Sequence, residues 1–128
     1  MEGATRIWLL LAGLNGLLAV GFGAFAAHGV SDPQVKEWLR TGAQYQLVHA
    51  AAGLACFALL RFAIGPAGAA GWLFGLGALV FGGSLYALAF TGVRTFGALA
   101  PIGGLLLILG WVAVIWAVLS NTVAARVG

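Results

Sequence analysis

Residues 98–118 read ALAPIGGLLLILGWVAVIWAV, 21 residues without one charge. A helix rises about 1.5 Å per residue, so about 20 such residues span the hydrocarbon of a bilayer. Three more stretches have the same character. They are 7–27 (IWLLLAGLNGLLAVGFGAFAA), 43–64 and 71–90. Lipid offers no partners for bare backbone groups, so each stretch is a helix or a strand of a closed barrel. The apolar runs are unbroken and lack period-two alternation, which excludes a barrel.

Composition agrees. Of 128 residues, 62% are hydrophobic, 7% are charged and 21 are glycine. A soluble domain this small leaves too much of its area wet to hide that surface. A disordered chain and a nucleic-acid binder are excluded with it. The net charge of +3 comes from scattered cations and forms no basic patch. Cys56 is the sole cysteine, which leaves no internal disulfide and no thiolate metal cluster. The expected architecture is an all-α, antiparallel bundle of four transmembrane helices in one domain, 1–128. The spans run about 7–27, 43–64, 71–90 and 98–120, with a short amphipathic segment at 32–41. Short connections place both chain ends on one side.

Two features qualify the spans. Ala24-Phe25-Ala26 fits a small-x-small cleavage site behind Arg6, but the apolar run is longer than a signal's core, so the first stretch is read as a retained helix. In the first connection, Asp32-Pro33 reads as an N-cap with proline at the first helical position. Asp32 and Lys36 form an i,i+4 pair of favourable order. Val35, Trp38 and Leu39 make one apolar stripe. This segment either lies along the interface or runs straight into the second span, with Thr41-Gly42 as the place to bend. Lys/Arg residues divide three (Arg6, Arg61, Arg126) against three (Lys36, Arg40, Arg94), so the positive-inside rule sets no orientation.

Helices in lipid associate where small residues let backbones approach. The first span offers Ala12, Gly16, Ala19 and Gly23, and the third offers Gly71, Gly75, Ala78 and Gly82. Pro101, Gly103, Gly104 and Gly110 mark the fourth. Trp8, Trp72 and Trp116 read as an interfacial belt.

Polar residues gather in one half. His28 ends the first span, and Gln44, Tyr45, Gln46 and His49 open the second. Ser84, Tyr86 and Thr91 lie late in the third, followed by Arg94 and Thr95. Antiparallel threading brings them to one side, with His49 and Ser84 about 10 Å inside it. Groups this costly to bury face a bundle interior or a watery cavity. His28, Gln44, Tyr45, His49, Ser84, Tyr86 and Arg94 are therefore the candidate ligand-binding set or polar network. Structural roles compete with that reading. His28 beside Gly29 suits a helix C-terminus, His49 suits a satisfied core histidine, Arg94 suits snorkelling to headgroups, and Asn15 suits interhelical glue. No cofactor or metal is expected. The two histidines lie at different depths for haem and lack the further ligands zinc wants. No nucleophile–base set, paired carboxylates or phosphate loop is found.

The ordered set Gly23-Ala24-Phe25-Ala26-Ala27-His28-Gly29, Gln44-Tyr45-Gln46 with His49-Ala50, Gly83-Ser84-Leu85-Tyr86 leading to Thr91-Gly92, and Pro101-Ile102-Gly103-Gly104 with Gly110-Trp111 resembles the YgdD-like family. These are small bacterial inner-membrane proteins of unknown function with a eukaryotic small-transmembrane branch. The resemblance covers nearly the whole chain. It implies four transmembrane helices, a plasma-membrane location and no established activity. The chain departs from the pattern at Ala26, where glycine is expected, at Gly82, where serine is common, and at Ala100, where threonine often precedes the proline.

Three functions follow as expectations. The first is a non-catalytic structural or assembly partner, with the bilayer and either a second copy or another membrane protein as its partners. The second is binding or transport of a small lipophilic or anionic compound in the polar half, which requires a cavity lined by Tyr45, His49, Ser84 and Tyr86. The third is a quinone- or haem-linked redox subunit.

Overall fold

The computed structural model describes the backbone of residues 3–61 and 67–127 and the side chains of 3–60 and 67–121. Five helices follow one another: α1 (Gly3–His28), α2 (Pro33–Arg61), α3 (Ala67–Thr91), α4 (Arg94–Gly97) and α5 (Ala100–Val127). Four of them are long and apolar enough to cross a membrane, and no strand occurs among the described residues. The protein is an all-α membrane bundle. Residues 62–64 of the expected second span, and the Arg61 and Arg126 side chains counted for orientation, lie outside the described residues.

The amphipathic segment is the beginning of α2 and not a separate helix. Asp32 caps it as its sequence dictates, accepting from the backbone N–H of Gln34 (2.8 Å) and Val35 (3.3 Å). The carboxylate serves these amides and makes no ion pair with Lys36. The helix runs through Thr41-Gly42 without a break. Packing explains the continuity. Leu39 is fully buried beside Ala26, Tyr86 and Ala89, and Trp38 packs on Leu85, Leu88 and Ala100. The apolar stripe is thus spent on neighbouring helices and not on the lipid surface.

At the far end of α3, Gly92 takes φ +69° and its N–H bonds to Leu88 O at 2.8 Å. This is the left-handed closure that glycine allows at a helix end. The single turn α4 then leads to α5.

α3 is the centre of the bundle. Of its most apolar window 56% is buried, against 22% for α1 and 22% for the last span. Glycines set the approaches. A Cβ on Gly71 would lie 2.8 Å from the Trp8 ring, and one on Gly75 would lie 2.7 Å from Leu11, so α1 crosses close to α3. A Cβ on Gly103 would strike the Phe81 backbone, with Cα at 2.7 Å, so α5 crosses α3 still more closely. Between α1 and α2 the small residues mesh antiparallel. Gly53 faces Ala12 (3.4 Å), Gly16 faces Ala50 (3.9 Å) and Gly23 faces Ala43 (3.5 Å).

The tryptophan belt needs correction. Trp8 is 1% exposed, in a core with Cys56, Ala70, Phe74, Ala78 and Leu107. Trp72 packs partly buried against the same core, and only Trp116 of the three turns outward. The space freed by Gly71 draws the Trp8 indole inward.

Candidate functional site

Two polar constellations join the four long helices. The first is fully interior. Asn15, on α1, donates from Nδ2 to Gly75 O on α3 at 3.0 Å. Gln46, on α2, donates from Nε2 to Asn15 Oδ1 at 2.8 Å. Tyr86, on α3, donates its hydroxyl to Gln46 Oε1 at 2.6 Å. Asn15 and Gln46 are fully buried and Tyr86 nearly so. Local sequence makes this arrangement. Gln46 interrupts the small-residue seam Ala43, Ala50, Gly53 on α2, and Gly82 leaves room for its amide, since a Cβ there would lie 3.0 Å from Gln46 Cδ. The Phe22 ring stacks on Tyr86 with centroids 4.1 Å apart and holds the phenol in place.

The second constellation lies between α2 and α5. Trp111 Nε1 donates to His49 Nε2 at 3.0 Å, and His49 Nδ1 lies 2.7 Å from Tyr45 O one turn earlier. An indole N–H can only donate, so Nε2 accepts. The ring proton then sits on Nδ1 and is donated to the Tyr45 carbonyl. Both nitrogens of the neutral imidazole are therefore used. Phe74 and Phe81 of α3 complete an aromatic cluster, with Phe74–Trp111 centroids 4.8 Å apart and Tyr45–Phe81 centroids 5.0 Å apart.

The structure divides the residues singled out from sequence. Tyr86 and His49 enter the two constellations. Tyr45 contributes its carbonyl and its ring, while its hydroxyl makes no hydrogen bond among the described residues. Ser84 is buried but bonds locally, Oγ to Phe81 O at 2.9 Å. His28, Gln44 and Arg94 are exposed and stand apart from both constellations. Ser84 and Tyr86 do not line the groove that Tyr45 and His49 share. The Ser84 and Tyr86 hydroxyls are spent on protein acceptors, and no buried side-chain N or O lacks a partner among the described residues. No three His, Cys, Asp or Glu residues come together there as a metal site.

Asn15 bridges helices as its sequence position suggested, whereas Gln46 and Trp111 carry more of the polar structure than theirs did. Gln46 had a usable signal, an amide placed in register with alanine and glycine on a helix seam. Trp111 had none, because its partner lies 62 residues away.

Apart from these bonds, α2 and α5, with Phe81 of α3 between them, leave a groove of about 520 Å³ on the side of the bundle. Tyr45, His49, Phe81 and Trp111 line it.

Residues 22–104 match the family described as "Protein of unknown function (DUF423)". The chain is 39% identical over 117 residues to the UPF0382 membrane protein YwdK of Bacillus subtilis, covering 86% of this chain and 94% of that one. It is 39% identical over 119 residues to a UPF0382 membrane protein of Staphylococcus epidermidis (90% and 97% covered). It is 40% identical over 111 residues to a UPF0382 membrane protein of Haemophilus influenzae (83% and 88% covered). No solved structure matches.

Proposed function

The chain belongs to the DUF423, or UPF0382, membrane protein family, and from that premise we propose that it is a non-catalytic structural or assembly partner within the membrane. In this reading it is a multi-pass protein of the bacterial inner membrane, akin to the YgdD-like proteins and, through them, to their eukaryotic branch. The observation that carries the proposal is the state of the interior. Among the described residues its buried polar side chains are bonded to one another or to backbone, as expected of groups that hold helices together. Support comes from glycines on the outer faces. Gly13, Gly21 and Gly83 are exposed, and a Cβ on any of them would meet nothing within 4 Å. Glycine weakens a helix and gains nothing here inside the bundle, whereas a docking helix could use the close approach.

Native mass spectrometry of the full chain in mild detergent tests the proposal. The expected result is a defined multimer or a stoichiometric complex with another membrane protein. His49→Ala and Arg94→Ala should alter stability or complex yield and nothing else. A strictly monomeric chain across the accessible concentrations would overturn it. The competing reading, transport of an anionic solute through the polar half, draws less support, because the Ser84 and Tyr86 hydroxyls bond to protein acceptors. Binding of a lipophilic compound keeps one location, the lateral groove.

A further inference from the structure

We infer that the groove between α2 and α5 is a binding site for the head ring of a membrane-dissolved quinone, a planar neutral ring bearing carbonyl oxygens. This goes beyond the assembly role and does not depend on it.

The argument starts from the α2 wall. Thr41, Tyr45 and His49 follow at i, i+4 and i+8 and form one column facing α5. The column is about 12 Å long. The His49–Trp111 hydrogen bond spans one end of it, and both walls belong to helices long and apolar enough to cross a membrane. Its volume, about 520 Å³, suits a substituted ring with the first part of an apolar tail.

Three properties of the lining select the ligand. First, no lining residue carries a fixed charge, and the Glu37 carboxylate held beside Thr41 disfavours a phosphate head. Second, one part of its wall is aromatic. The Tyr45 and His49 rings are parallel to within 4°, with centroids 6.3 Å apart, Trp111 and Phe81 add to that surface, and Leu107 and Ile108 of α5 supply an aliphatic strip for the tail. Such faces stack on a conjugated ring better than on a saturated one. Third, hydrogen-bond donors remain. The Tyr45 hydroxyl, on a half-exposed side chain, has no partner among the described residues. The Thr41 hydroxyl has only a 3.4 Å bond to Glu37. Both can turn to a ligand carbonyl, whereas His49 Nε2 already accepts from Trp111 and its Nδ1 is engaged with Tyr45 O. The inference concerns binding only; no electron or proton transfer is assigned to these residues.

The test uses the full chain in phosphatidylcholine nanodiscs and a decyl-substituted benzoquinone as probe, with tryptophan fluorescence as readout. Trp111 sits on the groove, so the expected result is a saturable quenching component above the linear collisional background. Gly104→Leu should remove that component. Gly104 lines the groove, and a Cβ there meets only Phe81 Cδ2, at 4.0 Å, so the position has room to begin a side chain. Tyr45→Phe, at a half-exposed position, keeps the fold and should weaken apparent affinity about three- to tenfold, the value of one neutral hydrogen bond. Purely linear quenching in the wild type would overturn the inference, and so would an unchanged curve in both variants. Equal competition by decylbenzene, which has the tail and ring but no oxygen, would show an acyl groove only and also overturn it. Competition by phosphatidylglycerol would show a charged-lipid site with the same consequence.

Discussion

Gln46→Met is the substitution that examines the interior most directly. Methionine has the length of glutamine and is unbranched, so it fits the space left by Gly82 without new crowding. What it removes is chemical. Two interhelical hydrogen bonds disappear, Gln46 to Asn15 (2.8 Å) and Tyr86 to Gln46 (2.6 Å). Asn15 Oδ1 and the Tyr86 hydroxyl are left in a region without water, since Asn15 is 0% and Tyr86 5% exposed. Interhelical hydrogen bonds in membranes are worth about 0.6 kcal/mol on average and up to about 1.7. Orphaned buried groups push toward the upper end, so the expected loss is about 2–3 kcal/mol. Tyr86→Phe removes only the second bond and should cost about 1 kcal/mol. In the double variant Tyr86 no longer has a hydroxyl to strand, so the double should cost no more than Gln46→Met alone. The assay is reversible unfolding in mixed micelles with increasing dodecyl sulfate, followed by far-UV ellipticity. A loss below about 0.5 kcal/mol for Gln46→Met would refute the reasoning. Additivity of the two singles to within about 0.3–0.5 kcal/mol would refute it as well.

Gly103→Ala should separate α5 from α3, because its methyl collides with the Phe81 backbone. A loss above about 2 kcal/mol is expected, against little change for the neighbouring Gly104→Ala, and the same unfolding assay reads both. Trp111→Phe keeps the aromatic packing but withdraws the donor from His49 Nε2. A loss of about 1 kcal/mol is expected by unfolding, and the histidine ring resonances should report a change at Nε2 by nitrogen NMR. Asp32→Ala removes the cap of α2 and should cost about 1 kcal/mol. Asp32→Asn should recover most of it, read as protection of the Gln34 and Val35 amides in hydrogen exchange.

Much of the bundle was legible because the bilayer imposes a simple rule. A run such as 98–118 has no charge and no alternation, and only a spanning helix satisfies its backbone in lipid. The small-residue stripes on α1 and α3 were legible for the same reason, since close approach demands small side chains whatever the partner. The Asp32-Pro33 cap was legible because its chemistry is local. Register along antiparallel helices was also readable, and it brought Tyr86 level with the start of α2, where its hydroxyl meets Gln46. Direction around the helix was harder to read. Trp8 looked like an interfacial anchor from its depth, yet Gly71 on another helix makes a berth that turns it inward. Ser84 and Tyr86 seemed to face a shared cavity with His49, yet one bonds to its own helix and the other to Gln46.

The sequence alone determined that this chain crosses a membrane as four helices, because hydrophobic length and backbone satisfaction depend on each segment by itself. Tertiary structure alone decided which polar side chains meet. Those meetings join residues 31 to 62 positions apart, and such a pairing is set by crossing points and helix rotation. Both are fixed only when glycines on one helix find the bulky side chains of another.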